Sequence, residues 1–211
     1  MNDPDDAPGA TMVDLAFAIE GDRLPRDHRA LLAAALEAAL PWLAGTPGAG
    51  VHRLNVVTMT AAGGTQALLS RRTKLVLRVP RERAADTGAL VGATLDLGGH
   101  ALHVGAQHAR ELLPWGTLYA HTVLARADDD EPSFLCSVRD ELDRLGVGGR
   151  IICGRRHDLD DEGLNGFGLM VDQLQAPDAL RVMEHGLGER RALGCGIFVP
   201  HKSAAAVGAM P

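Results

Sequence analysis

The residues with the clearest chemical potential lie near the C-terminus, in Gly186-Leu187-Gly188-Glu189-Arg190-Arg191-Ala192-Leu193-Gly194-Cys195-Gly196. Two glycine pairs bracket a segment with two arginines. Glycine lets a backbone turn tightly and approach a ligand closely, because no Cβ intervenes. The N–H groups of such a loop suit an anion. The guanidinium forks of Arg190 and Arg191 suit phosphate. The same residues also fit a helix cap followed by an ordinary turn. His28, at the other end of the chain, opens an apolar helical stripe one turn before Leu32. The positive end of a helix disfavours an imidazolium, so the ring stays neutral and able to take a proton. A half-buried histidine bonded to a nearby carbonyl carries the same signature. Tyr119 and His121 share a strand face and suit acid–base work, base stacking or packing. His185 sits in the last turn of the helix that feeds the loop, where the helix dipole favours a charged ring.

Alternation over residues 72–79 puts Leu75, Leu77 and Val79 on one strand face and Arg72, Lys74 and Arg78 on the other. With Arg71 and the loop arginines, this face reads as a track for a phosphate backbone, or as a plain solvated face. The chain has only seven aromatic residues (Trp 2, Tyr 1, Phe 4), and they do not interleave with these bases. That disfavours a stacking platform for single strands and favours grip on a duplex or hairpin backbone. His100 and His103 sit either side of the start of a hairpin strand with no matching cysteine or carboxylate pair, so no metal is expected. The glycine spacing is neither a P-loop nor a dinucleotide fingerprint, and no cofactor is expected.

The elements that must position these residues follow from periodicity. Residues 13–19 alternate as a half-buried strand. A helix starts near Pro25 to Asp27, with Asp27 a candidate cap, and Pro41 ends it. Strands follow at 51–60 and 72–79, then a short helix at 81–91 and a hairpin around Gly98-Gly99. The second half repeats the order: strand 117–124, helix 132–145, strands 150–156 and 164–171, helix 177–185, strand 197–199. The expected fold is α+β, two tandem ferredoxin-like βαββαβ modules at 11–112 and 113–200, with a loose tail at 201–211.

A chain of 211 residues can bury a full core as one domain or two small ones. The net charge of −6, taken by itself, argues against a nucleic-acid partner. Yet 11 of the 27 acids sit in three segments without Lys or Arg: the N-terminal tail, residues 128–131 and residues 158–162. The other 16 face 21 bases, so the body is mildly basic. The start of the chain is polar and acidic, unlike a signal peptide, and no run reaches membrane-spanning length. Cys136, Cys153 and Cys195 read as reduced thiols of a cytoplasmic protein.

The loop, taken with other stretches, resembles one family. Gly-apolar-Gly, five residues including a base, then Gly-apolar-Gly is the glycine-rich signature of the CRISPR repeat-processing endoribonucleases, the sixth CRISPR-associated family. Val13-Asp14-Leu15-Ala16-Phe17, Leu24-Pro25-Arg26-Asp27-His28, residues 92–100, Thr117-Leu118-Tyr119-Ala120 and residues 186–200 resemble one type I subgroup of it. The resemblance spans about residues 12–200. It implies two ferredoxin-like modules and a metal-independent RNase acting on CRISPR precursor RNA within repeats. A substrate 2′-hydroxyl attacks the adjacent phosphate, giving a 2′,3′-cyclic phosphate and a 5′-hydroxyl. It implies His28 as acid or base, with Tyr119 a second candidate. Gly186, Gly188, Arg190, Arg191, Gly194 and Gly196 would hold a repeat hairpin, helped by Arg71, Arg72, Lys74 and Arg78. It also implies a place beside other subunits of an interference complex, with the product retained. Two departures stand out. Arg29, Ala30, Leu31 and Leu32 replace the tyrosines that relatives carry after the histidine, and the hairpin before Gly166 is acidic. The alternative is a non-catalytic RNA-binding subunit of the same assembly. A small-anion-binding protein of the same fold is a third reading.

Overall fold

The computed structural model describes residues 9–21, 23–25, 28–61, 64–159 and 163–202. Of the tails expected at 1–10 and 201–211, residues 1–8 and 203–211 lie outside the described residues, as do the cap residue Asp27 and most of the acidic loop (160–162).

Alternation at 13–19 produces β1 (Met12–Glu20). Its odd positions, Val13, Leu15, Phe17 and Ile19, enter a first core. The half-buried expectation is corrected: Met12 and Ala16 on the even face are buried too. Met12 packs into a second core belonging to the C-terminal half, which covers that face. β1 is central in a five-stranded antiparallel sheet. The order is β3 (Gly50–Val51), β6 (Lys74–Pro80), β1, β8 (Ala101–Glu111), β7 (Thr94–Asp96). Helix α1 (His28–Ala39) buries His28, Leu32 and Leu36 against it, and stops just before Pro41.

The single strand expected over 51–60 is divided. Gly50–Val51 pairs with β6, whereas β4 (Val56–Ala61) pairs with β5 (Gly64–Leu69), which also pairs with β2 (Arg23–Leu24). The helix expected at 81–91 is two 3-10 turns, Arg81–Arg83 and Ala85–Leu90.

In the second half, β9 (Thr117–Leu124), β10 (Arg150–Leu159), β11 (Leu164–Asp172) and β12 (Val199–Pro200) form an antiparallel sheet ordered β10-β11-β9-β12. Helices α2 (Glu131–Arg144) and α3 (Ala176–His185) supply Phe134, Val138, Leu142, Ala179, Val182 and Met183 to its core. The acidic run before α2 is a cap: the Asp130 carboxylate accepts the Ser133 N–H at 2.9 Å. The fold is α+β. The three cysteines are free. No helix among the described residues is long and apolar enough to cross a membrane.

The largest correction concerns Arg78. Its strand face is not solvated; the side chain is 0% exposed. Nε and Nη2 donate to the Asp14 carboxylate at 2.7 and 2.8 Å. Nη1 donates to the Met183 and Phe198 carbonyls at 2.8 and 2.9 Å. Met183 lies in the last turn of α3, whose carbonyls lack helical partners and form the negative end of its dipole. Arg78 therefore locks the two halves together and is not available to RNA.

Burial raises the Asp14 carboxyl, but bonds from Arg78 and His52 outweigh it and hold the group well below its ordinary 3.8. Burial lowers His52 from 6.5 despite the opposing pull of Asp14. Groups lowered on folding bind fewer protons folded than unfolded, so stability rises with pH through their titration. Urea unfolding should show full stability near neutrality, a decline as pH falls below 6.5, and a further decline below 3.8. Arg78→Ala, which leaves a buried carboxylate unpaired, should cost about 3–5 kcal/mol at pH 7. A loss within error would contradict the role given to Arg78.

Candidate functional site

The glycine-rich loop is not an open anion cradle. The Gly186 N–H donates to Val182 O (2.9 Å), Gly194 to Arg191 O (3.1 Å) and Gly196 to Thr122 O (2.8 Å). The Gly188 N–H donates to the Glu141 carboxylate at 2.9 Å. All four glycine amides are committed internally, which corrects the expectation that they receive a phosphate. Space is what demands glycine. At Gly196 (φ 65°) a Cβ would stand 2.0 Å from Leu187 O, and at Gly186 (φ 66°) 2.3 Å from Gly196 O.

Arg191 is corrected in the same way. Nη1 donates to His185 O (2.8 Å) and Gly196 O (3.2 Å), Nη2 to Gly48 O (2.7 Å) and Nε to Ala49 O (3.2 Å). Burial, then the charge of Arg78, lowers it to about 10, so it stays a cation at neutral pH. It ties the loop to the N-terminal half. Arg190 is different. It is exposed, in the left-handed region at φ 59°, and its carbonyl accepts the Leu193 and Cys195 N–H groups. It borders a cleft of about 410 Å³ lined also by Arg126 and Arg144, with Asp129, Asp140, Glu141 and Glu189 adding opposite charge.

The loop joins three pieces. Its short turn, Arg191–Leu193, packs on α1 and β3. A Cβ on Gly194 would lie 3.2 Å from the Arg53 nitrogen, just beyond β3. Gly196 holds β9 at Thr122, next to His121. The loop thus sets α1, Arg53 and β9 relative to one another.

On α1, His28 is 8% exposed and Nδ1 donates to Pro25 O at 3.0 Å. A proton on Nδ1 makes Nε2 the lone-pair nitrogen of a neutral ring. Arg29 follows it and is half-buried. On β9, the Tyr119 ring lies 5.4 Å from that of His201, and His121 lies 4.4 Å from His157 of β10. Burial, Arg53, His157 and Arg29 lower His121 to about 4. Burial and the charges of Arg53, Arg29 and Arg155 lower His157. Arg53 is itself lowered by burial and by Arg29, with Tyr119 opposing. One cationic cluster therefore spans α1, the segment after β3, β9 and β10. Arg71 and Arg72 are exposed in the turn before β6, and Lys74 opens β6 at the end away from Arg78. His185 bonds Arg181 O of its own helix at 3.1 Å.

Sequence reasoning missed Arg29, Arg53 and His157 as site residues. Arg29 adjoins His28 and carried a signal. Arg53 and His157 carried none, because only the packing of two halves brings them to the cluster. Among the described residues, no group of three or more His, Cys, Asp or Glu is arranged to hold a metal ion.

The family model described as Cas6 Crispr matches residues 13–203. The chain belongs to the Cas6 family. It is 36% identical over 197 residues to the CRISPR-associated endonuclease Cas6 of Myxococcus xanthus strain DK1622, covering 92% of this chain and 84% of that one. Among solved structures it is similar to a Cas6-related protein of Pyrococcus furiosus, with a TM-score of 0.60 and 14% identity over 89% of this chain and 98% of that one. It is also similar to a CRISPR-associated Cas6 protein, with a TM-score of 0.61 and 10% identity over 90% and 100% of the two chains. At these identities the structures speak to the fold alone.

If the Cas6 loop acts as a packed joint, added volume at its glycines must break it. Gly196→Ala should lower stability by about 2 kcal/mol or more, from the left-handed backbone and the clash together. Thermal melting of the variant beside the wild type measures this. An unchanged melting temperature would contradict the packing argument.

Proposed function

We propose that this Cas6 protein cuts CRISPR precursor RNA within its repeats, without a metal ion, and leaves a 2′,3′-cyclic phosphate and a 5′-hydroxyl. The observation that carries the reading is the cationic cluster of Arg29, Arg53, Tyr119, His121 and His157 at the junction of the two halves, in a chain of this family. Fixed cations suit a phosphate that gains negative charge at the transition state. We read the fold as two tandem ferredoxin-like βαββαβ modules, bounded at 11–112 and 113–200. The strand orders β3-β6-β1-β8 and β10-β11-β9-β12 support that reading, since each reproduces one arrangement. The protein works in the cytoplasm, on a repeat hairpin, beside other subunits of an interference complex.

His28 is the proposed general base. The bond from Nδ1 to Pro25 O favours the tautomer with its lone pair on Nε2, the form that removes a proton from the attacking 2′-hydroxyl. The proton ends on the imidazole, the 2′-oxygen bonds to phosphorus, and the P–O5′ bond breaks; the departing O5′ takes a proton from water to give the 5′-hydroxyl of the downstream strand, and the imidazolium returns its proton to solvent. Tyr119 is a second candidate that contacts the RNA near the cut. Arg190 holds the hairpin backbone, with Arg71, Arg72 and Lys74 as outlying contacts. The loop glycines and Arg191 shape the surface and do not touch the phosphate.

His28→Ala separates this reading from a non-catalytic RNA-binding subunit. Cleavage of a labelled repeat hairpin in EDTA should fall by about 10²–10⁴-fold, the usual contribution of a positioned acid or base, while hairpin binding changes little. Unchanged cleavage would remove His28 from the mechanism. No cleavage by the wild type, with salt-sensitive binding intact, would favour the binding subunit.

A further inference from the structure

His121 and His157 stand on different strands with another strand between them, and their rings nevertheless meet at 4.4 Å with a 34° tilt. The backbone explains how. β11 lies between β9 and β10, and Gly168 is the residue at which both neighbours lose register. On one side Phe167 pairs Val123 and Leu169 pairs Ala120, so three steps of β9 match two of β11. On the other side Phe167 pairs Arg156 and Leu169 pairs Cys153, so β10 also carries one extra residue. Two bulges face each other across Gly168, and bulges re-aim side chains. Gly168 keeps the space above it open. A Cβ there would lie 2.9 Å from Tyr119 Oη and 3.6 Å from His157 Nε2. The His121 Nδ1 pairs with Thr122 Oγ1 at 3.0 Å, which fixes the ring.

We infer that His121 and His157 form a paired-imidazole subsite over Gly168 that binds an RNA backbone phosphate together with Arg29 and Arg53, and takes up a proton in doing so. The inference rests on the reading that the chain binds RNA. It is independent of which residue performs the proton transfer of cleavage.

The groups facing the pair decide the sign. Arg29 comes from α1, Arg53 from the segment after β3, Tyr119 from β9 with His201 beside it, and Arg155 from β10. Among the described residues, Asp158 of β10 is the acid that acts on His157. In the free protein, burial and this surplus of positive charge disfavour a proton on either ring, with His121 lowered to about 4. A phosphate brings negative charge among them and favours the imidazolium. The complex then binds more protons than its separated partners, so affinity strengthens as pH falls.

The test is binding of a repeat hairpin with a 2′-deoxy residue at the cut, which cannot be cleaved, from pH 8 to pH 5.5 at fixed salt. The wild type should bind about tenfold more tightly at pH 5.5 than at pH 8, the gain for one imidazole that is neutral over this range in the free protein and returns to its ordinary value of about 6.5 in the complex. The double variant His121→Gln, His157→Gln should lose that slope, its affinity staying level from pH 8 to pH 5.5. A wild-type slope retained by the variant overturns the proposal. So does an equal loss of affinity at every pH, which marks the rings as a stacking surface. NMR titration of the wild-type imidazoles needs no variant to fold. The His121 and His157 pKa values should rise on RNA binding, and unmoved values overturn the proposal. No RNA binding by the wild type at any pH overturns the functional reading, and this one with it.

Discussion

A buried guanidinium organises this molecule. Arg78 is wholly enclosed and spends four hydrogen bonds on three partners: the Asp14 carboxylate, Met183 O and Phe198 O. Such a group is costly to bury unless every donor is satisfied, and breaking the pair is more costly still. Arg78 therefore admits only the arrangement in which the end of α3 and the Phe198 segment just before β12 lie against the N-terminal sheet. Arg191 repeats the device from the other side, donating to Gly48 and Ala49 of the first half and to His185 of α3. The last turn of one helix thus receives two cations, where its dipole favours them.

The proposed RNA-binding cluster depends on that joint. Arg29 and Arg53 belong to the N-terminal half, and Tyr119, His121 and His157 to the C-terminal half. The first half brings the fixed cations and the second the rings that face them. The glycine-rich loop lies between them as packing material, its amides turned inward and its glycines dictated by Leu187 O and Gly196 O. Its importance is architectural, apart from Arg190.

Local elements were legible in the sequence because they rest on local causes. The period-2 run in β1, the apolar stripe from His28 to Leu36, Pro41 as a stop and the turn at Gly98 all reappear in the fold. What alternation could not say is what covers each face. It put Arg78 correctly opposite Leu77, but whether that face meets water or another layer depends on residues more than 100 positions away. The same holds for the loop. Its composition suits an anion, and only the non-local partners Glu141 and Thr122 reveal that its amides are occupied. The pairing of His121 with His157 needs two register shifts, which leave no mark on periodicity. The net charge of −6 was equally uninformative, since acids such as Asp130 cap helices while the site itself stays cationic.

The central claim is a metal-independent cut made by a ribose hydroxyl at this cationic junction. Its most direct test is to incubate the protein with an end-labelled repeat hairpin in excess EDTA and identify the new termini by mass. The account requires a 2′,3′-cyclic phosphate on the upstream fragment and a 5′-hydroxyl on the downstream one. A 3′-hydroxyl paired with a 5′-phosphate, or cleavage that returns only when a divalent cation is restored, would contradict it.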